Sequence, residues 1–224
     1  MSNDSIPMLT QVSEYEGQPS IAVACTQLGT SFTARSAKRV VDEWVEFFQR
    51  PSTLTRLDFR SRTPKRLFAA LAGQPQLERL HVKWGDYADL NPLRSMTGLR
   101  HLELRGASNV TDVTALTSLT QLQGLALEGF RDIADSRPLG ALSSLIDLEL
   151  GGNWMTPRIG RIESVRFLRT LPRLEELLLH TLVVDDLDYS PLLDLPALRS
   201  VRVMKVRGMQ PGHDELRRRL PWSG

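Results

Sequence analysis

The sequence predicts an α/β solenoid, built from a stack of strand–loop–return units behind an N-terminal strand–helix cap. Three observations predict it. A six-residue apolar pattern recurs seven times, a three-residue apolar period precedes most of the copies, and a strand followed by an amphipathic helix stands before the first. The copies read LTRLDF from Leu54, LERLHV from Leu77, LRHLEL from Leu99, LQGLAL from Leu122, LIDLEL from Leu145, LEELLL from Leu174 and LRSVRV from Leu198. Successive starts lie 23, 22, 23, 23, 29 and 24 residues apart. Repetition at such a period marks a fold in which no unit buries its own apolar face and stacked neighbours share one core.

Within each copy the alternation L-x-L has the period of a strand with one buried face. Ahead of it, Leu90, Leu93, Met96 and Leu99 fall every third residue, as do Val113, Leu116, Leu119 and Leu122. The same step recurs at Leu139, Leu142 and Leu145 and at Leu168, Leu171 and Leu174. A period of three suits 3₁₀ turns, which keep one edge apolar. In front of the stack, Gln11 to Tyr15 and Ile21 to Cys25 read as strands, and Ala34 to Gln49 as a helix with Val40, Val41, Trp44, Val45 and Phe48 on its apolar stripe. Pro64 to Gly73 reads as a second helix, with Pro at its start and Gly at its stop. His213 to Leu220 reads as a closing helix. The predicted organisation is a cap over residues 1–50, repeats over 51–206 and a C-terminal cap over 207–224.

These units resemble the leucine-rich repeats of bacterial internalin-like proteins, the short subclass of 22–23 residues. Asn109 to Gly129, NVTDVTALTSLTQLQGLALEG, is the best match, and the resemblance runs from Leu54 to Val206. It implies a curved solenoid with a parallel sheet on its concave side, used to bind a protein. One departure is plain. The loop asparagine of the family is clear only at Asn153, with Phe130 and Gly85 in the equivalent places elsewhere.

Composition bounds the function. The 224 residues are 41% hydrophobic and 24% charged, as expected of an ordinary globular chain, and the formal net charge of +2 excludes a polybasic or polyacidic tail protein. No window approaches the roughly 18 apolar residues of a membrane-spanning helix. The opening MSNDSIPMLT lacks a secretory pattern and the single cysteine, Cys25, forms no internal disulfide, so a cytoplasmic monomer is expected.

In each unit the positions between the buried leucines face outward and form rows across the sheet. The third-position row is Arg56, Arg79, His101, Gly124, Asp147, Glu176, Ser200; the fifth is Asp58, His81, Glu103, Ala126, Glu149, Leu178, Arg202. The seventh is Arg60, Lys83, Arg105, Glu128, Gly151, His180, Met204. Charge is segregated along the stack: residues 51–110 carry a formal +5 and residues 111–157 a formal −4. Charges of one sign within a Debye length of ~8 Å reinforce one another, so the rows predict an inner wall with a basic and an acidic half. Gly124, Ala126, Gly129, Gly151 and Gly152 predict a shallow floor in the middle. Leu178 is an apolar residue predicted to face outward, with His180 beside it.

The candidate partner-binding set is therefore Arg56, Asp58, Arg60, Arg79, His81, Lys83, His101, Glu103, Arg105, Glu128, Asp147, Glu149, Glu176, Leu178, His180 and Arg202. Trp84 and Trp154 join it as strand-end aromatics, with burial in the stack as their alternative fate. Asp58, His81 and Glu103 form a carboxylate–imidazole–carboxylate line with the makings of a general base or a zinc site. Flanking arginines favour plain ion pairing there, and no nucleophile stands in the row. The reading is a protein-binding module, not an enzyme, with no cofactor or metal and a partner of complementary charge. The alternative is RNA or other nucleic acid, held by the basic half and by an Arg-rich return (Arg158, Arg161, Arg166, Arg169, Arg173).

Overall fold

The computed structural model describes residues 6–153 and 158–223. Nine strands form one parallel sheet: β1 (Met8–Leu9), β2 (Ser20–Val23), β3 (Arg56–Phe59), β4 (Arg79–Val82), β5 (His101–Leu104), β6 (Gly124–Glu128), β8 (Asp147–Gly151), β10 (Glu176–His180) and β12 (Ser200–Val203). The register is that of the repeat: Leu57, Leu80, Leu102, Leu125, Leu148, Leu177 and Val201 stand side by side, one per turn. All seven are buried, and they join one core running the length of the molecule.

Behind the sheet the chain returns through tight turns. The 3₁₀ segments Asn91–Ser95, Thr114–Ser118, Arg137–Ala141, Arg166–Thr170 and Ser190–Asp194 stack on one another. Their bonds match the three-residue period: the Leu119 N–H donates to the Leu116 carbonyl at 2.9 Å and the Leu122 N–H to the Leu119 carbonyl at 3.0 Å. Each turn thus aims an aliphatic side chain inward and keeps its peptide groups paired.

The first return is a true helix, α1 (Ala34–Phe48), started by Thr33, whose side chain accepts from the Ser36 N–H at 3.1 Å. Trp44 is fully buried, stacks on Phe48 at 5.3 Å and donates its indole N–H to the Thr10 carbonyl at 2.8 Å. The second return is α2 (Lys65–Ala70) followed by a 3₁₀ turn, Leu71–Gly73. Gln74, also fully buried, donates to the Phe48 and Arg50 carbonyls and so satisfies the end of α1. At the far end α3 (His213–Arg219) buries Leu216. The tail beyond it pairs with the free edge of β12, where the Val201 N–H donates to Pro221 and the Ser223 N–H to Val201, both at 3.0 Å.

Two expectations are corrected. The first cap strand is Met8–Leu9, and Val12–Glu14 within the expected strand is a 3₁₀ turn closed by the Glu14 carboxylate on the Thr10 and Gln11 N–H groups. The convex side also carries a second parallel sheet, ordered β11 (Leu182–Val184), β9 (Gly160–Ile162) and β7 (Asp132–Ile133). Its buried aliphatics Ile133, Ile162, Leu182 and Val184 come from three neighbouring turns, and extended backbone at that depth must pair with itself. The run is too short in each turn for its period to show in the sequence.

Truncating a core leucine should open a cavity that the stacked turns cannot collapse into. Leu127→Ala is expected to cost about 2–5 kcal/mol in urea unfolding. Ile159→Ala, at a side chain 53% exposed, should stay within about 0.5 kcal/mol of the parent.

Candidate functional site

The outward rows line an open trough of about 510 Å³ across the middle and C-terminal part of the sheet. Strand register brings the predicted residues together in the expected order: Arg56, Arg79, His101, Gly124, Asp147, Glu176 and Ser200 are successive partners, as are Asp58, His81, Glu103, Ala126, Glu149, Leu178 and Arg202. Side-chain pairing then divides them into two groups.

Much of the predicted polarity is spent inside the molecule. Asp58 is only 3% exposed and holds Arg60 at 2.8 Å and Arg56 at 3.4 Å, so its predicted place in the contact surface is corrected. Arg105, assigned to the basic half, reaches across the boundary to three carboxylates: Glu149 at 2.6 Å, Glu128 at 3.0 Å and Glu103 at 3.4 Å. Burial works against its charge, but hydrogen bonds to Glu149 and Glu128 and the fields of Glu149 and Glu103 hold the guanidinium more firmly protonated than usual. His180 is also corrected. It is 4% exposed, its Nε2–H donating to Glu149 at 3.0 Å while Nδ1 meets the Thr181 hydroxyl at 3.0 Å. Burial alone would raise the Glu149 carboxyl; the hydrogen bonds from His180 and Arg105 overcome it and hold the group at about 2.

The small residues are corrected too. A Cβ on Gly124 would lie 2.8 Å from the His101 ring, and one on Gly151 would lie 2.3 Å from the His180 ring. Both glycines make room for a neighbouring imidazole; Gly151 is buried and offers no open floor, while the half-buried Gly124 still lines the trough. Ala126, 7% exposed, keeps the floor shallow.

A second group of charges forms no ion pair among the described residues: Arg79 and Lys83 on β4 and the residue after it, Asp147 on β8, Glu176 on β10 and Arg202 on β12. Burial pushes the Asp147 carboxyl above its usual range, opposed by His101 across the trough. Burial and the adjacent Arg79 hold the His101 imidazole below its usual value. His81 is likewise lowered by burial, against the pull of Glu103 and Asp58. Among the described residues no group of three or more His, Cys, Asp or Glu side chains is placed to hold a metal ion.

At the C-terminal end the trough runs into a hollow of about 460 Å³ lined by Leu178, Met204, Trp222 and Arg202. Leu178 is half-buried at this junction. On the rim, Trp84 is 36% exposed and walls an open recess with Gly106, Gly129, Asn153 and Arg158. Trp154 lies outside the described residues.

On the convex side three of the five arginines of the return are paired, while Arg158 and Arg173 form no ion pair among the described residues. Arg161 meets Asp185 at 2.5 Å, Arg169 meets Asp194 at 2.8 Å and Arg166 meets Asp186 at 3.8 Å. Sequence reasoning missed these pairs and the Arg105 clamp, although a signal was present. Asp185 and Asp194 follow their arginines by about one repeat, as Glu128 follows Arg105, which places opposite charges on adjacent turns.

No family model matches the chain, and no curated protein matches it in sequence. Solved structures do. Internalin C2 from Listeria monocytogenes is 25% identical and superposes with a TM-score of 0.52 over 68% of this chain and 62% of that one. The fold is an internalin-like leucine-rich repeat. Internalin inlF from the same organism is 19% identical with a TM-score of 0.49, over 67% of this chain and 48% of that one. A leucine-rich-repeat protein from Leptospira interrogans is 14% identical with a TM-score of 0.47, over 82% and 47%. This leucine-rich-repeat chain therefore spans less than two-thirds of the length of each.

The Glu149 clamp makes acid stability testable. A carboxyl held at about 2 when folded, against an ordinary value near 4.5, contributes stability above pH ~4.5 that is lost as pH falls toward 2. Melting temperatures of Glu149→Gln should show a smaller drop between pH 5 and pH 2.5 than those of the parent.

Proposed function

We propose that this protein is a binding module, not an enzyme, and that its concave trough holds a partner protein. The observation that carries the reading is the charge left over. On a surface where Arg105, Asp58, Arg161, Arg166 and Arg169 are paired, Arg79, Asp147 and Glu176 line the open sheet with no ion-pair partner among the described residues. Unpaired charges of both signs on a recessed sheet select a partner with the opposite arrangement and speed its encounter. Binding works by steric occlusion or scaffolding. Inhibition, as in a toxin-neutralising immunity protein, is the role we place first, since occlusion needs only a fitted surface and no chemistry. The single buried Cys25 suits a reducing, cytoplasmic setting, and no helix among the described residues is long and apolar enough to cross a membrane.

The nucleic-acid alternative is weakened by the same accounting. A polyanion needs clustered free cations. Of the five basic groups expected on the inner wall, Arg56, Arg60 and Arg105 are engaged by carboxylates, and three arginines of the convex return are matched by aspartates.

The test is a partner captured from the native host, purified and titrated against variants. Asp147→Lys with Glu176→Lys should weaken it at least tenfold, about 1.4 kcal/mol, while the convex Arg161→Glu leaves it unchanged. Equal affinity in all three proteins overturns the concave-face reading. Salt-sensitive retention of RNA that Arg79→Glu abolishes would replace it with the nucleic-acid one.

A further inference from the structure

We infer that what seats in the trough is a single extended segment of the partner, recognised by the order of its side chains. The pattern is an acidic residue, then a basic residue about four to six positions away, then an apolar residue. The inference rests on the protein-binding reading above and adds the chemistry of the occupant.

The fold leaves only part of the wall's charge available to a partner. Arg105 ties Glu103, Glu128 and Glu149 together, and Asp58 ties Arg56 to Arg60. Most charges on the fifth- and seventh-position edge of the wall are thereby held in internal pairs, with Lys83 and Arg202 left outside them among the described residues. The third-position row keeps its poles: Asp147 on β8 and Glu176 on β10 in the trough, and Arg79 on β4 in the adjoining hollow that shares His101 and Glu103 with it. Between them lie only His101, neutral near pH 7 because burial and Arg79 lower it, and Gly124, which that ring covers. The row is therefore polar at its ends and uncharged in its middle.

The dimensions then set the occupant. Arg79 and Asp147 are three strand steps apart, or about 14 Å at roughly 4.8 Å per step, and Glu176 is one step further. An extended chain advances about 3.3 Å per residue, so four to six residues span the two poles. A helix rising 1.5 Å per residue would need roughly ten residues between the same two poles, so the spacing of the two charges in the occupant distinguishes it from an extended segment. Beyond Glu176 the trough opens into the hollow of Leu178, Met204 and Trp222, the two recesses sharing Leu178, Arg202 and Ser223. A hollow of about 460 Å³, lined by Leu178, Val203, Met204 and Trp222 together with Arg202 and Arg217, has apolar surface for one large aliphatic or aromatic side chain.

The experiment is panning of a phage-displayed random dodecapeptide library on the full chain, with the Asp147→Lys/Glu176→Lys protein as counter-selection. Both substituted residues are exposed and outside any ion pair among the described residues, and an unchanged melting temperature verifies that the variant is folded. Enriched peptides should carry Asp or Glu four to six positions from Lys or Arg, with Leu, Met or an aromatic within two positions of the basic residue. A selected peptide should bind at least tenfold more tightly than its twin with the two charges exchanged. That preference should reverse in Arg79→Glu/Asp147→Lys/Glu176→Lys. Equal binding by the twins, enrichment without charge order, or no enrichment overturns the inference. If the captured host partner still loses affinity in the Asp147→Lys/Glu176→Lys protein, protein binding stands and only the extended segment fails. If that partner is indifferent as well, the reading beneath it fails too.

Discussion

The parallel backbone ladder between successive turns is the constraint on which everything else depends. Each strand is only four or five residues long in the repeats and would be unstable alone, yet β3 to β10 of the main sheet are each hydrogen-bonded on both sides to a neighbouring strand, and the last, β12, to β10 and the tail. That register is held by the aliphatic ladder beneath it. A slip of one residue would turn every buried leucine of that turn toward water and every charge toward the core. Because the register is locked, residues one repeat apart in sequence are about 5 Å apart in space, and a one-dimensional pattern becomes a two-dimensional surface.

The surface so made is governed by competition between internal and external partners for charge. Arg105 could have served a ligand, but three carboxylates within 3.4 Å claim it first. Its half-buried setting lowers the local dielectric and strengthens those pairs relative to the exposed ones on the convex side, each worth only ~0–1 kcal/mol. The clamp also fixes the Glu149 and His180 side chains and so stiffens the acidic half of the wall. What remains outside the clamp is a narrower and more ordered set of charges than the row composition suggests.

Much of the architecture was legible because its cause is periodic. Leu102, Leu125 and Leu148 announced the sheet, and Leu116, Leu119 and Leu122 announced the 3₁₀ returns, since burial imposes a different period on each. The helices over Ala34–Phe48 and His213–Arg219 were legible from their apolar faces and end residues. The second sheet was not, because two or three residues in each turn are too few to establish a period. Asp58 and His180 were misplaced for a related reason: an outward direction on a strand says nothing of how deeply neighbouring arginines or a glycine cradle will enclose the side chain.

By itself the sequence determined the repeat, the direction in which each side chain leaves the sheet, and the order of charges along every row. These follow from local period and from spacing, which the chain carries in one dimension. Only the tertiary structure decided which of those charges remain for a partner. Pairing depends on side-chain reach across two or three turns, as from Arg105 to Glu149, and on burial by elements distant in sequence. The resulting distinction, Arg79, Asp147 and Glu176 outside any ion pair among the described residues while Glu128 and Glu149 are held, exists only once the turns are stacked.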